Sequence, residues 1–419
     1  MRVLLLGSGG REHALARALR LDPAVTAVHC APGNAGTAAI ADNHVLDPTD
    51  PVAVVELARR IRPDLVVIGP EAVLIAGVAD AVRQAGIPCF GPDAAAARIE
   101  GSKAFAKEIM TSAGVPTAAA RVCESPEDVG AALDLFGPPY VVKDDGLAAG
   151  KGVVVTRDRT AAENHAHACG RVLVEEYLDG PEVSLFALSD GKHAVPLLPA
   201  QDFKRAYDGD EGPNTGGMGA YTPLPWAPAG LVPEVMATVV QPVIDELRAR
   251  ETPYVGVLYA GLALTSEGVR VVEFNARFGD PETQVVLDRL ATPLGGLLQA
   301  CAIGGLSADT RTVWADGAAV TVVIAAENYP AKPVAGDVIA GIEDAEAVPG
   351  AYVLHAGTAL SDGLLVSAGG RVLNVVGTGP DLASARATAY EAAGRIRMRG
   401  MQYRTDIAAN AADFRSRSS

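Results

Sequence analysis

The chain has 419 residues, of which 49% are hydrophobic, and its 35 Lys+Arg against 50 Asp+Glu give a formal charge of −15. At about 150 residues per domain there is room for roughly three domains, each with its own core, and the hydrophobic share excludes a largely disordered chain. So acidic a chain is a poor non-specific partner for nucleic acid or an anionic membrane, and any phosphate it binds must be met by local devices.

The predicted elements begin with a βαβ rhythm. Arg2–Gly7 reads as a short buried strand, 11–21 as a helix, 25–31 as a second strand, 52–61 as a helix, 65–68 as a strand and 73–85 as a helix, followed by the short run 88–91. This alternation predicts a parallel sheet with helices on both faces and a ligand site beyond the carboxyl ends of its strands. Gly7-Ser-Gly-Gly-Arg-Glu-His13 sits between the first strand and the first helix. Glycines there let the backbone approach an anion at a helix N-terminus. Glu12 stands where a dinucleotide fingerprint needs Gly, and no acidic residue closes the second strand, so a phosphate site is favoured over a nicotinamide site.

A second unit opens near Gly101 with a helix over 103–113. A strand (119–123), a helix capped by Ser125 and running to Phe136, and a strand (140–143) follow. A glycine-rich turn, Gly146 to Gly152, leads into strand 153–155, then a short helix and strands 172–177 and 183–188. This small patch reads as a lid. Only seven lysines occur in the chain, and two of them, Lys143 and Lys151, bracket the glycine turn. Such a turn suits folding over nucleotide phosphates, although its spacing is not that of a Walker A loop.

A third stretch holds a long polar loop, 202–221, which carries Gln201-Asp-Phe-Lys-Arg205 and Asn214-Thr-Gly-Gly-Met-Gly219. Loops of that length are usually functional or disordered. The helix predicted over 232–250 has one clean apolar face and should kink at Pro242. Strands 255–264 and 269–275 follow. In the second, alternation puts Glu273 and Asn275 on one face, a hard oxygen pair suited to Mg²⁺ beside phosphates. Arg277, Asp280 and Glu282 come directly after it. Short strands separated by Gly and Pro make the rest, from about 327, a β-rich domain. No nucleophile elbow and no paired Cys–His motif stands out, so chemistry without a covalent protein intermediate is expected.

Five scattered cysteines without a CxxC indicate neither a disulfide framework nor a zinc site, which fits a reducing cytoplasm. The longest apolar run, 318–326, is far below the ~20 residues of a membrane span. Val3–Leu6 is too short for a signal-peptide core, so none is expected.

Taken together and in this order, GSGGREHA, APGNAGT (31–37), IGPE (68–71), EGSKAFAK (100–107), KDDGLAAGKGV, EEYLDGPEVS, QDFKR, GPNTGGMGAY (212–221), VEFNARFGDPETQ and HAGT (355–358) resemble the phosphoribosylamine–glycine ligase family of the ATP-grasp superfamily. The resemblance implies an α/β and α+β multidomain chain. It has a Rossmann-like parallel α/β domain at 1–101, an ATP-grasp domain at 102–121 and 187–325, a lid at 122–186 and a β-rich domain at 326–419. It implies ATP-dependent joining of glycine to 5-phosphoribosylamine in purine biosynthesis, with another ATP-grasp carboxylate–amine ligase or carboxylase as the alternative. ATP is then a co-substrate with Mg²⁺ or Mn²⁺, no nucleic acid or membrane is a partner, and a cytoplasmic monomer or weak homodimer is expected.

By the same resemblance Arg277 and Lys143 are catalytic, and Glu273 and Asn275 hold metal. ATP is bound by Lys103, Lys143, Gly146, Gly150, Lys151, Gly152, Glu175, Glu176, Tyr177, Leu178 and Glu182. The other substrates meet Gly9, Gly10, Arg11, Glu71, Asp202, Lys204, Asn214, Arg277 and Asp280. Three positions depart from the family pattern: Asp144 in place of Ala beside Lys143, Phe203 in place of His, and a short 168–172 segment where a second lid loop is usual, with Arg171 as a partial substitute.

Overall fold

The computed structural model describes residues 1–146 and 152–412. Its first sheet is parallel. Strands β1 (Arg2–Gly7), β2 (Ala27–Pro32), β3 (Asp42–Asn43), β4 (Leu65–Ile68) and β5 (Cys89–Phe90) are ordered β3-β2-β1-β4-β5. Leu4, Leu5 and Leu6 of β1 are wholly buried because helices cover both faces. Helix α1 (Gly10–Leu21) starts directly after β1, so its N-terminus stands at the carboxyl edge of the central strand. Glu12 closes a capping box there: its Oε2 accepts the Gly9 N–H at 2.6 Å. A Cβ on Gly69 would lie 2.0 Å from Glu12 Oε1, so only glycine lets the β4 end pass this carboxylate. The helix expected over 73–85 is two pieces, Glu71–Ile75 and Val78–Gln84, because Gly77 turns left-handed at φ +76°.

The second unit is antiparallel. After helix α2 (Lys103–Ser112), strands β6 (Ala120–Cys123), β7 (Tyr140–Asp144), β8 (Val153–Thr156) and β9 (Val172–Glu175) form one sheet ordered β6-β9-β7-β8. Helices α3 (Pro126–Phe136) and α4 (Arg159–Cys169) cover it. Ser125 caps α3 as expected, its hydroxyl accepting the Asp128 N–H. The strand expected at 183–188 does not join this sheet. It is β10 (Glu182–Asp190), paired residue for residue with a strand of the next unit, so a lid boundary at 186 cuts through the middle of a strand.

The third sheet is ordered β11-β10-β16-β17, from β10, β11 (Ala194–Pro196) and two long strands that follow the polar segment. That segment is not an open loop. It folds as β12 (Gln201–Asp202), β13 (Arg205–Tyr207), β14 (Glu211–Asn214) and β15 (Gly219–Thr222), with β13 and β14 as a two-stranded ribbon. The 231–249 region is helical throughout. A π-turn over Met236–Val240 widens the helix just before Pro242. This accommodates a ring that would clash with the carbonyl of the preceding turn. Strands β16 (Val255–Thr265) and β17 (Gly268–Asn275) then pair antiparallel, with a register shift after Gly261↔Glu273 that leaves Val272 as an extra residue. Helix α5 (Glu282–Arg289) follows β17.

The last sheet takes β12 and β15 together with β18 (Ala318–Ala325), β19 (Ala351–His355), a hairpin of β20 (Thr358–Ser361) and β21 (Leu364–Ser367) alongside, and β22 (Arg371–Gly379); its order is β12-β15-β18-β22-β19. The β-rich C-terminal unit thus includes strands from before residue 326, because β18 pairs with β22 on one side and β15 on the other. This unit closes against the first one through histidines. His13 Nδ1 accepts the His355 N–H at 2.8 Å, and the two rings lie 5.6 Å apart.

Burial, with His355 and Arg17 nearby, pushes His13 down to about 3, and burial pushes His355 down to about 4, from the ordinary imidazole value of 6.5. Below about 6.5 the unfolded chain therefore binds protons that the folded chain refuses, and stability falls with pH until the folded values are reached. Melting temperatures measured from pH 7 to 4.5 should fall, and fall less steeply in the His13→Gln/His355→Gln variant. Equal slopes would show that these rings do not titrate on unfolding.

Candidate functional site

The site lies where β7 and β9 of the lid sheet meet α2 and β17. Lys143, on β7, is buried and donates to Glu175 Oε2 at 2.8 Å and to the Val272 carbonyl at 3.0 Å. That carbonyl belongs to the extra residue of β17, which the ladder leaves unpaired. Lys107, on α2, approaches Glu175 Oε1 at 3.4 Å and donates to Thr117 Oγ1 and the Ala118 carbonyl, each at 2.8 Å. Glu175 is 2% exposed and so carries two ammonium partners, one from each unit. Burial pushes Lys107 down and Glu175 pulls it back; the net is a lowered value. Lys103 donates to the Gly146 carbonyl at 3.0 Å.

Asp144 does not crowd Lys143. Neighbours on a strand face opposite sides, and its carboxylate instead accepts the Gly146 N–H at 3.2 Å. Asp145 caps the start of α2, accepting from Ala104 N at 2.8 Å and Ser102 Oγ at 3.2 Å, and pairs with Arg171 at 3.1 Å. Arg171, within the short 168–172 segment, therefore ties the lid to the α2 turn through Asp145.

Glu273 faces this cluster from β17. Burial raises its carboxyl, but Lys204, Lys143, Lys103 and Arg277 together hold it below the usual value. Its carboxylate takes no hydrogen bond or ion pair among the described residues, so it is ionised and available. Asn275 is buried, and its Oδ1 accepts from Arg277 at 3.1 Å. No cluster of three or more metal-ligating side chains occurs among the described residues. One free carboxylate and one amide oxygen beside lysines instead fit a hard divalent ion completed by phosphate oxygens and water.

Past β17 the charges turn toward the first unit. Arg277 pairs with Glu71 at 3.3 Å and Glu100 at 3.1 Å. Burial raises Glu100, with Arg277 opposing it, whereas Glu71 is held down by Arg277 and Arg11 against its burial. Arg11 is turned inward, pairing with Glu12 at 2.5 Å and donating to the Phe278 carbonyl at 3.1 Å. Asp280 is fixed from two sides, by Gln284 Nε2 at 2.7 Å and Arg371 at 3.2 Å. Arg371 also donates to the Asp280 carbonyl at 2.6 Å and to the Gly216 carbonyl at 2.5 Å. Lys204 pairs closely with Glu182. Burial raises Asp202 to about 7, against the pull of Lys204 and with Glu282 and Glu182 adding to it.

The sequence-predicted residues Lys103, Lys143, Glu175, Lys204, Glu273, Asn275 and Arg277 are thus brought into one electrostatic neighbourhood. Gly9, Gly10, Arg11, Glu71 and Asp280 form its flank toward the first unit. Glu176 faces outward to Arg270 and the Ala119 N–H, and Tyr177 and Leu178 extend from the lid edge, Tyr177 being 48% exposed. Asn214 lies on the β13–β14 ribbon, opposite Arg205. Gly152 is buried beside Asp144, while Gly150 and Lys151 lie outside the described residues. Sequence reasoning missed Glu100, Lys107 and Arg371. The first two lie in the EGSKAFAK motif that had been singled out, whereas nothing local marks Arg371.

A small antiparallel lid sheet set against a second antiparallel sheet, with lysines and a free carboxylate converging between them, defines an ATP-grasp enzyme. Models of the N domain, the ATP-grasp (A) domain and the C domain of phosphoribosylglycinamide synthetase match residues 1–100, 101–283 and 319–410. The phosphoribosylamine–glycine ligase of Streptomyces coelicolor is 64% identical, over 98% of this chain and all of that one. A crystal structure of phosphoribosylamine–glycine ligase from Thermotoga maritima superposes with TM-score 0.85 at 35% identity, covering 97% of this chain and 100% of that one. The biotin carboxylase domain of 2-oxoglutarate carboxylase from Hydrogenobacter thermophilus shares the fold at TM-score 0.73 and 18% identity, covering 99% of this chain and 95% of that domain. The chain belongs to the phosphoribosylglycinamide synthetase family.

Replacing Lys107 by Met leaves Glu175 with a single cation and takes the side-chain donor from the Ala118 carbonyl, while Thr117 Oγ1 keeps its bond to the Val271 carbonyl. Urea denaturation should show a loss of about 3 kcal/mol, the usual result of removing one partner of a buried pair. A loss near zero would mean that Lys143 alone satisfies Glu175.

Proposed function

We propose that this chain joins glycine to the amine of 5-phosphoribosylamine at the expense of ATP, with a divalent metal, in purine biosynthesis. The observation that carries the reading is the free, ionised Glu273 among Lys103, Lys143, Lys204 and Arg277, in a chain whose family and full-length relatives carry that activity in their names. A carboxylate is a poor electrophile. A glycine carboxylate oxygen attacks the γ-phosphorus of ATP, the bond to ADP breaks, and glycyl phosphate forms. The amine nitrogen then attacks the glycyl carbon, the bond to phosphate breaks, the amide forms, and the nitrogen loses a proton.

Each residue has a part in this. Lys143 and Lys103 are assigned to the ATP phosphates, where positive charge offsets what spreads over the transferring phosphoryl group. Lys143 does not wander, because Glu175 and the Val272 carbonyl hold its ammonium. The adenine hinge is assigned to the backbone from Glu175 to Leu178, since the Glu175 side chain is already occupied. Glu182, paired with Lys204, is assigned to the ribose. Glu273 and Asn275 would hold the metal, Mg²⁺ or Mn²⁺ by their oxygen chemistry. Bound there, the ion would neutralise phosphate charge. Arg277, fixed by Glu71 and Glu100, is assigned to the charge on the acyl phosphate. Gly9, Gly10 and Arg11 at the α1 N-terminus, with Asp280, are assigned to the phosphoribosyl substrate. Lid closure would keep water from the acyl phosphate.

The five cysteines are free, and no helix among the described residues is long and apolar enough to cross a membrane; both agree with a cytoplasmic enzyme.

The direct test follows ADP release with each substrate omitted in turn. Sustained ADP formation should require both glycine and phosphoribosylamine, and turnover with another acid or amine alone would replace the reading. Glu273→Gln should lower turnover at least tenfold, about 1.4 kcal/mol of barrier, while nucleotide affinity changes little. A smaller loss removes the metal assignment. Arg11→Ala should raise the KM for phosphoribosylamine and spare that for ATP; the reverse pattern would move the first unit from substrate to nucleotide.

A further inference from the structure

Glu282 is a buried carboxylate that makes no ion pair among the described residues, Arg277 acting on it only at longer range. It stands in the first turn of α5, is 3% exposed, and accepts on Oε1 alone, from the Tyr259 hydroxyl at 2.6 Å and Ser184 Oγ at 3.1 Å. Its Oε2 accepts nothing from the described residues and lies against Gly279, 2.5 Å from where a Cβ there would stand. The Asp202 side chain makes no hydrogen bond or ion pair with another of the described residues, and it lies within electrostatic range of Lys204 and Glu282.

The cations nearby make their ion pairs elsewhere. Lys204 is on Glu182, Arg277 on Glu71 and Glu100, and Arg371 on Asp280. Lys204 and Arg277 still act on Asp202 and Glu282 through space, but neither bonds to them. Two hydroxyl donors orient the Glu282 carboxylate and bring no positive charge. A buried carboxylate without a bonded cation is costly, and a second one close by raises that cost. What the arrangement lacks is a cation in direct contact, with N–H donors reaching Glu282 Oε2 on one side and Asp202 on the other.

We infer that Glu282, with Asp202 beside it, receives the ammonium group of the amino-acid substrate. This rests on the reading of the enzyme as a glycine ligase, and it names where that substrate's positive end sits. The carboxylate end is then free to turn toward the nucleotide phosphates at Glu273. Tyr259 and Ser184 are positioning residues that hold the receptor oxygen in place. Neutral or anionic isosteres of glycine that lack the ammonium group, such as glycolate, should bind poorly, because they leave both carboxylates without a bonded cation.

Steady-state kinetics of Glu282→Gln tests this. The KM for glycine should rise about thirtyfold or more, as when one partner of a buried charge pair is lost, while the KM for ATP stays within about twofold. Glu282→Asp should recover part of the glycine affinity, and Tyr259→Phe should raise the glycine KM in the same direction by a smaller factor. With the native enzyme, glycinamide, which keeps the ammonium group and lacks the carboxylate, should compete with glycine, and glycolate should not. If Glu282→Gln does not fold, Asp202→Asn and Tyr259→Phe carry the same KM test. A glycine KM within about threefold of the native value in the folded variants, or glycolate competing as well as glycinamide, overturns the inference. Native enzyme that makes no ADP with glycine and the amine would instead overturn the ligase reading, so the two failures are distinct.

Discussion

The pairing of Glu175 with Lys143 and Lys107 is the interaction on which the site depends. Glu175 ends β9, one of the two inner strands of the lid sheet, Lys143 is the penultimate residue of its neighbour β7, and Lys107 comes from α2 of the central unit. One carboxylate therefore sets the lid against the helix whose first turn binds Asp145. The cost of burying three charges is met because every donor has a second acceptor: the Val272 carbonyl for Lys143, and Thr117 with the Ala118 carbonyl for Lys107. The extra residue at Val272 is part of the same device. Without the register shift in β17 that carbonyl would belong to the ladder, and Lys143 would have to find its acceptor elsewhere.

A similar logic runs through the flank toward the first unit. Arg277 is not a loose cation but is clamped by Glu71 and Glu100, which come from two different segments. Arg371 reaches from the C-terminal sheet to Asp280 and to the backbone at Gly216. Its planar guanidinium serves three acceptors at once, which a lysine ammonium on a flexible stem would do less rigidly. The first and last units thus act on the site by fixing the direction of charged groups that sit on the central one.

Much of this was legible in the sequence. The apolar runs of β1, β4, β10 and β16 are bounded by Gly, Pro or polar residues, so their existence followed from composition, and the Ser125 cap followed from local chemistry. The 202–221 segment was not legible as strands. It is polar, its strands are two to four residues long, and their partners lie as far away as β18. The assignment of β10 to the central sheet was hidden for the same reason, since its partner is more than 60 residues further on. Periodicity placed Glu273 and Asn275, but no local pattern says which of many carboxylates ends up paired. That depends on contacts such as Arg371 with Asp280, 91 residues apart.

On net charge alone an acidic chain works against binding a polyphosphate, and the pairing pattern resolves this. Nearly every cation near Glu273 already has a carboxylate or carbonyl partner, so the site without ligand is close to neutral and is not a general sink for anions. A nucleotide carrying a divalent ion is itself less charged than the bare polyphosphate, so it needs a few directed N–H groups and one oxygen ligand for the metal more than it needs excess positive charge. In the proposed reading Glu273 would supply that ligand, because four surrounding cations keep its buried carboxyl ionised without any of them bonding to it. Selectivity would then come from geometry: only a ligand that brings its own positive charge to Glu273 while presenting phosphate oxygens to Lys103 and Lys143 would satisfy all the fixed groups together.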